Sequence, residues 1–233
     1  MAQQLLQPGH TLICMARNSN SQLTAAVPAG AMLEQWTVDL SEPAPAAQQL
    51  HAWLAGQSAG RYASATLINN AGVIPRIAPL SASDVDDLAT ALRVGLEAPM
   101  QLTAAFLGAT DAWTVPRKVL NISSGLGRRA MAGSAAYCAA KAGMDHFSRA
   151  VALEEAAGAH PARIVSLAPG VIDTDMQVQL RGADPAGFPD HGRFVHLQSA
   201  GLLDSADAAA AKVLAWLDRP DFGVQPVADV REG

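Results

Sequence analysis

The sequence predicts an α/β fold built on a doubly wound, mostly parallel sheet. Two patterns carry that expectation. Short runs rich in Val, Ile and Leu alternate with longer helical stretches along most of the chain. The runs are apolar throughout, as in strands covered by helices on both faces. Size agrees with this: 233 residues, 50% of them hydrophobic, suit a single domain spanning residues 1–233 with a large core. Aromatic residues make up only 5%, so that core is mostly aliphatic and alanine.

The chain opens with Met1–Gln7, which reads as the back half of a helix, and Pro8-Gly9-His10 reads as the turn into a strand. Strands are expected at Thr11–Ala16, Leu33–Leu40, Ala65–Asn69, Lys118–Ser123, Ile164–Ala168 and Gln225–Asp229. Helices are expected at Pro43–Ala55, Ser83–Leu107, Ala135–Glu155 and Ala206–Leu217. The alanine run Ala208–Ala211 lies inside the last of these. No internal repeat or low-complexity linker divides the chain. Residues 177–203 carry Gly, Pro, Asp and His without clear periodicity. In a doubly wound fold, an insertion of this kind near the strand carboxyl ends covers the ligand crevice, so a lid is expected there.

Charge excludes some functions. The formal net charge is −5 and the pI about 5.6, and Arg128-Arg129 is too short to form a basic patch, so no nucleic-acid partner is expected. No apolar run reaches the length of a membrane span, and Met1–Leu6 lacks the features of a signal peptide. Cys14 and Cys138 have no redox or metal spacing and read as reduced thiols of a cytoplasmic protein. No metal site is expected. His191 and His196 would make at most a weak ligand pair, while His51 and His160 read as surface residues and His146 as a packing or interface residue.

The chemistry is concentrated between residues 121 and 141. Asn121-Ile-Ser-Ser-Gly125 is followed by Tyr137-Cys-Ala-Ala-Lys141, with Ser124 thirteen positions before the tyrosine (137 − 124 = 13). Tyr and Lys four apart share one face of a helix. Tyrosine is a poor acid near neutrality, but a fixed ammonium favours its phenolate, so Lys141 is expected to lower the pKa of Tyr137. A hydroxyl such as Ser124 can bond the same substrate oxygen. Together the three groups could protonate a carbonyl that is receiving a hydride. A lone Tyr-x-x-x-Lys would more often be a surface pair.

Two further motifs stand in order with this one: Asn69-Asn70-Ala71-Gly72 after Ala65–Ile68, and Pro169-Gly170-Val-Ile-Asp-Thr174 after Arg163–Leu167. With them the chain resembles the short-chain dehydrogenase/reductase family, whose fold is Rossmann-like. Tyr137-Cys138, Ala152-Leu-Glu-Glu155, Leu167–Gln177, Gly201-Leu-Leu-Asp204 and Phe222–Asp229 bring it closest to the sepiapterin reductase and benzil reductase branch. The resemblance implies a carbonyl reductase for a small ketone or dicarbonyl, with vicinal dicarbonyls the first substrates to test. In that reading Tyr137 is the general acid, Ser124 positions the carbonyl oxygen, and Lys141 tunes the tyrosine and bonds the nicotinamide ribose. Arg17 and Asn18, ending the first strand, would meet the adenosine ribose. An arginine there accommodates a 2′-phosphate, which implies NADP(H). Asp39 and Leu40 match the adenine-contacting pair, and Asn70, Ala71 and Gly72 the ribose-side turn. Pro169, Gly170, Ile172 and Thr174 match the segment that holds the nicotinamide carboxamide. Asp229 or Glu232 could stand where sepiapterin reductases place a pterin-anchoring acid. A homodimer or homotetramer is implied, packed through Ser83–Leu107 and Ala135–Glu155.

The chain also departs from the family pattern. The expected first strand and glycine-rich turn do not precede Met1, a shortfall of about fifteen to twenty residues. Either Met1 is an internal methionine or the chain is a genuine short form. As it stands it is expected to bind cofactor poorly and to lack activity. Gly95 occupies the place of a family asparagine that holds a water beside the lysine, which puts the proton relay in doubt. These departures also permit a reading as a catalytically impaired binding or scaffold protein.

Overall fold

A computed structural model describes residues 1–232. After the short helix α1 (Ala2–Leu5) come β1 (Thr11–Ala16), α2 (Ser21–Ala25), β2 (Met32–Thr37), α3 (Pro43–Ala55) and β3 (Ala65–Asn69). Then follow α4 (Val85–Leu92), α5 (Ala98–Ala109), β4 (Arg117–Ile122), α6 (Ala135–Glu155) and β5 (Arg163–Ala168). The chain closes through α7 (Asp175–Arg181), α8 (His191–Ser199), α9 (Ala206–Leu217) and β6 (Val227–Asp229). All pairing between these strands is parallel, as the apolar runs require.

The ladders fall into two blocks. One has the order β3-β4-β5-β6, with Ala65 opposite Arg117, Lys118 opposite Arg163 and Ser166 opposite Val227. The other is the pair β1-β2, with Thr11 opposite Met32. β1 and β3 are not laddered to each other. The consequence shows in burial: Val119, Leu120, Val165 and Leu167 in β4 and β5 are shielded completely, whereas the apolar residues of β1 are half-buried or, at Ala16, exposed. One core cluster packs α3 and α5 (Leu50, Leu54, Leu102, Phe106) against Val119 and Ile164. A second packs α9 (Val213, Leu217) against Leu120, Val165 and Leu167. Helices therefore cover both sheet faces, as the continuous apolar strands imply.

The helix expected over Ser83–Leu107 is interrupted. A π-helical turn, Arg93–Glu97, separates α4 from α5, and the Ala98 amide bonds the Arg93 carbonyl five residues back. Pro99 has no N–H to donate to Gly95, so the regular ladder cannot run through this point. Gly95 itself lies against α6, where a Cβ would stand 3.0 Å from Ala140 Cβ. The segment 177–203, expected as an irregular lid, instead contains most of α7 and all of α8. These are held by Leu180, Phe188, Phe194 and Met131, with the two phenylalanine rings stacked at 5.6 Å. Glycines and prolines between these short helices hide their period. β2 ends three residues earlier than expected, because Val38 and Leu40 leave the strand but still pack into the α3/α5 core.

Candidate active site

The floor of the site is made where β4 ends against α6. Ser124 opens a tight turn over Gly125–Gly127, its Oγ accepting from the Leu126 amide at 3.1 Å. On α6, Tyr137, Lys141 and Asp145 follow at intervals of four, so all three face the sheet, and all three are buried. Lys141 Nζ donates to the Ile122 carbonyl at 2.7 Å and lies 5.8 Å from the centre of the Tyr137 ring. Asp145 is fixed from two strands: its Oδ1 accepts from Ser123 Oγ at 2.6 Å and from Ser166 Oγ at 2.7 Å. Its Oδ2 has Arg128 Nε at 3.5 Å as its ion-pair partner. Behind these groups Asn69 donates to Asn121 (2.8 Å) and Asn121 to Ser148 (2.9 Å), which ties β3, β4 and α6 together. A buried hydrogen-bonded network of this kind rigidifies the elements that carry the site.

Above this floor is a cavity of about 280 Å³. It gathers Ser124, Tyr137, Lys141, Asn70, Gly72, Pro169, Gly170, Ile172 and Thr174, residues from four separate stretches of sequence. Gly170 has φ +86°, a conformation that glycine adopts without strain, and it turns the chain out of β5. Arg17, Asn18, Asp39, Leu40 and Ala71 do not line this cavity. Arg17, Asn18, Asp39 and Ala71 are exposed and Leu40 half-buried. Arg17 and Asp39 do lie near one another: the Asp39 carboxyl is held below its ordinary value first by hydrogen bonds from Ser41 and in smaller part by the Arg17 charge.

The electrostatics correct one expectation from the sequence. The pKa of Tyr137 is raised, not lowered. Burial is the main cause, the Ser124 hydroxyl works against it by favouring the phenolate, and neighbouring Cys138 adds slightly to the rise. Lys141 is itself displaced, down to about 8, again by burial first, with the Asp145 charge opposing the fall. Burial therefore sets the direction of the Tyr137 shift.

Sequence reasoning missed three arginines. Arg129 from the loop after β4, Arg193 from α8 and Arg231 after β6 all line the cavity, although they lie far apart in the chain. None stands in a motif, so only the fold brings them together. Asp229, considered as a ligand anchor, is engaged by Arg231 at 2.8 and 2.5 Å, and the residue of this segment that reaches the cavity is Arg231. Of the two histidines on α8, His191 packs its Nε2 against the Arg181 carbonyl at 2.9 Å.

The residues present suit the nicotinamide half of a dinucleotide. Gly72 leaves open the space where a Cβ would come within 3.7 Å of Lys141 Nζ. Gln177 lines the cavity with a buried side-chain oxygen that has no partner, an acceptor placed for a donor such as a carboxamide.

A parallel, helix-covered sheet with a Ser-Tyr-Lys cluster at the strand ends defines a nucleotide-linked oxidoreductase. The comparisons name its family: the short chain dehydrogenase profile matches residues 1–184, and the chain belongs to that family. It is similar to a benzil reductase ((S)-benzoin forming) of Bacillus cereus, 33% identical, the match covering 95% of this chain and 90% of that one. It is also similar to a sepiapterin reductase of Meriones unguiculatus, 30% identical over 94% of this chain and 85% of that one. A solved short-chain dehydrogenase/reductase from Burkholderia vietnamiensis superposes with a TM-score of 0.60 at 32% identity, covering 100% of this chain and 91% of that chain. The protein is an NAD(P)H-dependent oxidoreductase of this family.

Proposed function

We propose that the protein is an NADPH-dependent carbonyl reductase acting on small ketones, vicinal dicarbonyls first among them. The observation that carries this reading is the convergence of Ser124, Tyr137 and Lys141 on one cavity under apolar walls. When bound, the dinucleotide would supply hydride. Tyr137 delivers the proton to the substrate oxygen, and its raised pKa keeps that proton in place at neutral pH. Ser124 holds the same oxygen. Lys141, anchored on the Ile122 carbonyl, keeps a positive charge beside the phenol and faces the ribose side, with Asn70 and Gly72 opposite. Pro169, Gly170, Ile172 and Thr174, which line the cavity, would hold the nicotinamide. The benzil reductases among the relatives support the dicarbonyl as substrate.

Arg17, with Asn18, supports NADPH over NADH, since an exposed guanidinium at a strand end suits a 2′-phosphate. Asp39, Leu40 and Ala71 complete the adenosine side. The same reading takes α7 and α8 as the lid and places the protein in the cytoplasm as a homo-oligomer. Its two unpaired cysteines suit a reducing compartment. Met100 on α5 and Leu153 on α6 expose apolar side chains, 47% and 77% accessible, on the helices expected to pair across a two-fold axis. The test is NADPH consumption with benzil, followed by identification of benzoin. No turnover with benzil or other vicinal dicarbonyls by protein that binds NADPH would remove the assignment.

A further inference from the structure

The cavity that holds the reacting groups carries an unbalanced charge. Its lining includes Arg129, Arg193, Arg231 and Lys141 and no carboxylate, in a chain whose net charge is −5. The four cations are not equivalent. Lys141 is committed to the floor of the site through the Ile122 carbonyl. Arg231 is committed to Asp229 by two side-chain bonds. Arg129 has only a loose partner, Asp190, with 3.9 Å between Nη1 and Oδ1. Arg193 has no side-chain partner among the described residues. It sits in the first turn of α8, where the helix dipole adds to the positive potential.

The rest of the wall on this side is apolar: Ile74, Leu126, Met176, Leu180, Phe194 and Leu197, all of them part of the cluster that holds α7 and α8. The cavity thus joins a hydrophobic wall to two under-used guanidiniums, a combination that fits a molecule with an apolar body and one anionic group. Guanidinium forks match carboxylates in geometry as well as charge.

We infer that the substrate of this site is a carbonyl compound whose ketone stands between a carboxylate and an aryl or branched alkyl group, a 2-oxo acid, with Arg193 and Arg129 as its specificity-determining residues. The inference rests on the reductase reading above and narrows it: in a 2-oxo acid, one carbonyl of a vicinal dicarbonyl is replaced by a carboxylate. The apolar group lies against Phe194 and Leu197, and the carboxylate meets the two arginines.

The test compares phenylglyoxylate with its uncharged methyl ester, using benzil as the control for the reductase reading. In the native protein kcat/KM for the acid should exceed that for the ester by about tenfold or more, the equivalent of one good charge-assisted contact, and the excess should shrink as salt is raised. In Arg193→Glu and in the double substitution Arg129→Ala with Arg193→Ala, the acid-to-ester ratio should fall to about one or below. Arg193→Lys should keep part of the preference. Calorimetric titration of the protein with phenylglyoxylate, with and without NADPH, supplies a readout independent of turnover. The inference is overturned if the native protein treats acid and ester alike, or if the preference survives both arginine substitutions in variants that melt cooperatively. If no carbonyl compound is reduced but phenylglyoxylate binds the native protein and not the double variant, the anion site stands and the reductase reading falls. If benzil is reduced and phenylglyoxylate neither binds nor turns over, the reductase reading stands and the anion site falls.

Discussion

Lys141 should make the protein less stable at neutral pH than the same fold without a buried charge, and the deficit should fade as pH rises. The side chain is buried, and its pKa of about 8 lies well below the ordinary lysine value of 10.5. Below pH 8 both the folded and the unfolded chain hold the proton, and the burial penalty is present in full. Between 8 and 10.5 the unfolded chain keeps a proton that the folded chain has released, so stability rises with pH through that window. At about 1.36 kcal/mol for each pH unit, the full gap corresponds to about 3.4 kcal/mol, of which about 2.5 kcal/mol is recovered between pH 7 and pH 10. Lys141→Met keeps the length of the side chain and removes the charge. It leaves the Ile122 carbonyl without its donor, which costs about 1–3 kcal/mol at every pH. The variant should therefore be as stable as the native protein or more so at pH 7, and less stable at pH 10. Urea unfolding of both proteins at four pH values across that range measures the difference directly. A stability difference that changes by less than about 1 kcal/mol from pH 7 to pH 10 would refute the buried, charged lysine as its source.

Three other outcomes are expected. Arg17→Asp should lower the ratio of kcat/KM for NADPH over NADH by about tenfold or more, because a carboxylate repels the 2′-phosphate and accepts from the 2′-hydroxyl; an unchanged ratio would remove Arg17 from the cofactor site. Gly127→Ala should destabilise the fold by about 1–3 kcal/mol in thermal or urea melts, since the added Cβ would meet Asp145 Oδ2 at 2.8 Å and the Lys141 carbonyl oxygen at 2.9 Å, and backbone on a long helix has little room to move. Light scattering at micromolar concentration should give a dimer or tetramer, and Leu153→Asp should shift it towards monomer; a native monomer would count against packing through α5 and α6.

Much of the fold was legible in the sequence because its signals are local. β1, β3, α3, α6 and α9 begin and end at the expected residues, each being a clear apolar run or a clear helical period. The missed features depend on something other than local pattern. α2 hangs on the Asn20 side chain capping Leu23 and on Gln35 reaching across from β2. The π turn depends on Pro99 and on close contact with α6. The site divides in the same way. Ser124, Tyr137 and Lys141 could be found from spacing along a strand, a turn and a helix. Arg129, Arg193 and Arg231 could not, because 102 positions separate the first from the last (231 − 129 = 102) and only the placement of α8 and the end of β6 brings them to one wall. The direction of the Tyr137 shift was also illegible, since it depends on how deeply the folded chain buries the phenol, and helical period and motif spacing carry no information about that.

The central claim is that Tyr137 is the proton donor to a carbonyl oxygen. Tyr137→Phe removes one hydroxyl and leaves the ring, the lysine contact and the packing of α6. The decisive measurement is kcat for benzil reduction by NADPH in this variant, alongside its affinity for NADPH by fluorescence titration. The account predicts a fall of about 10²–10⁴-fold in kcat, the usual contribution of a positioned acid, with NADPH affinity changed by less than about threefold. Activity within about tenfold of the native enzyme, with cofactor binding intact, would contradict it.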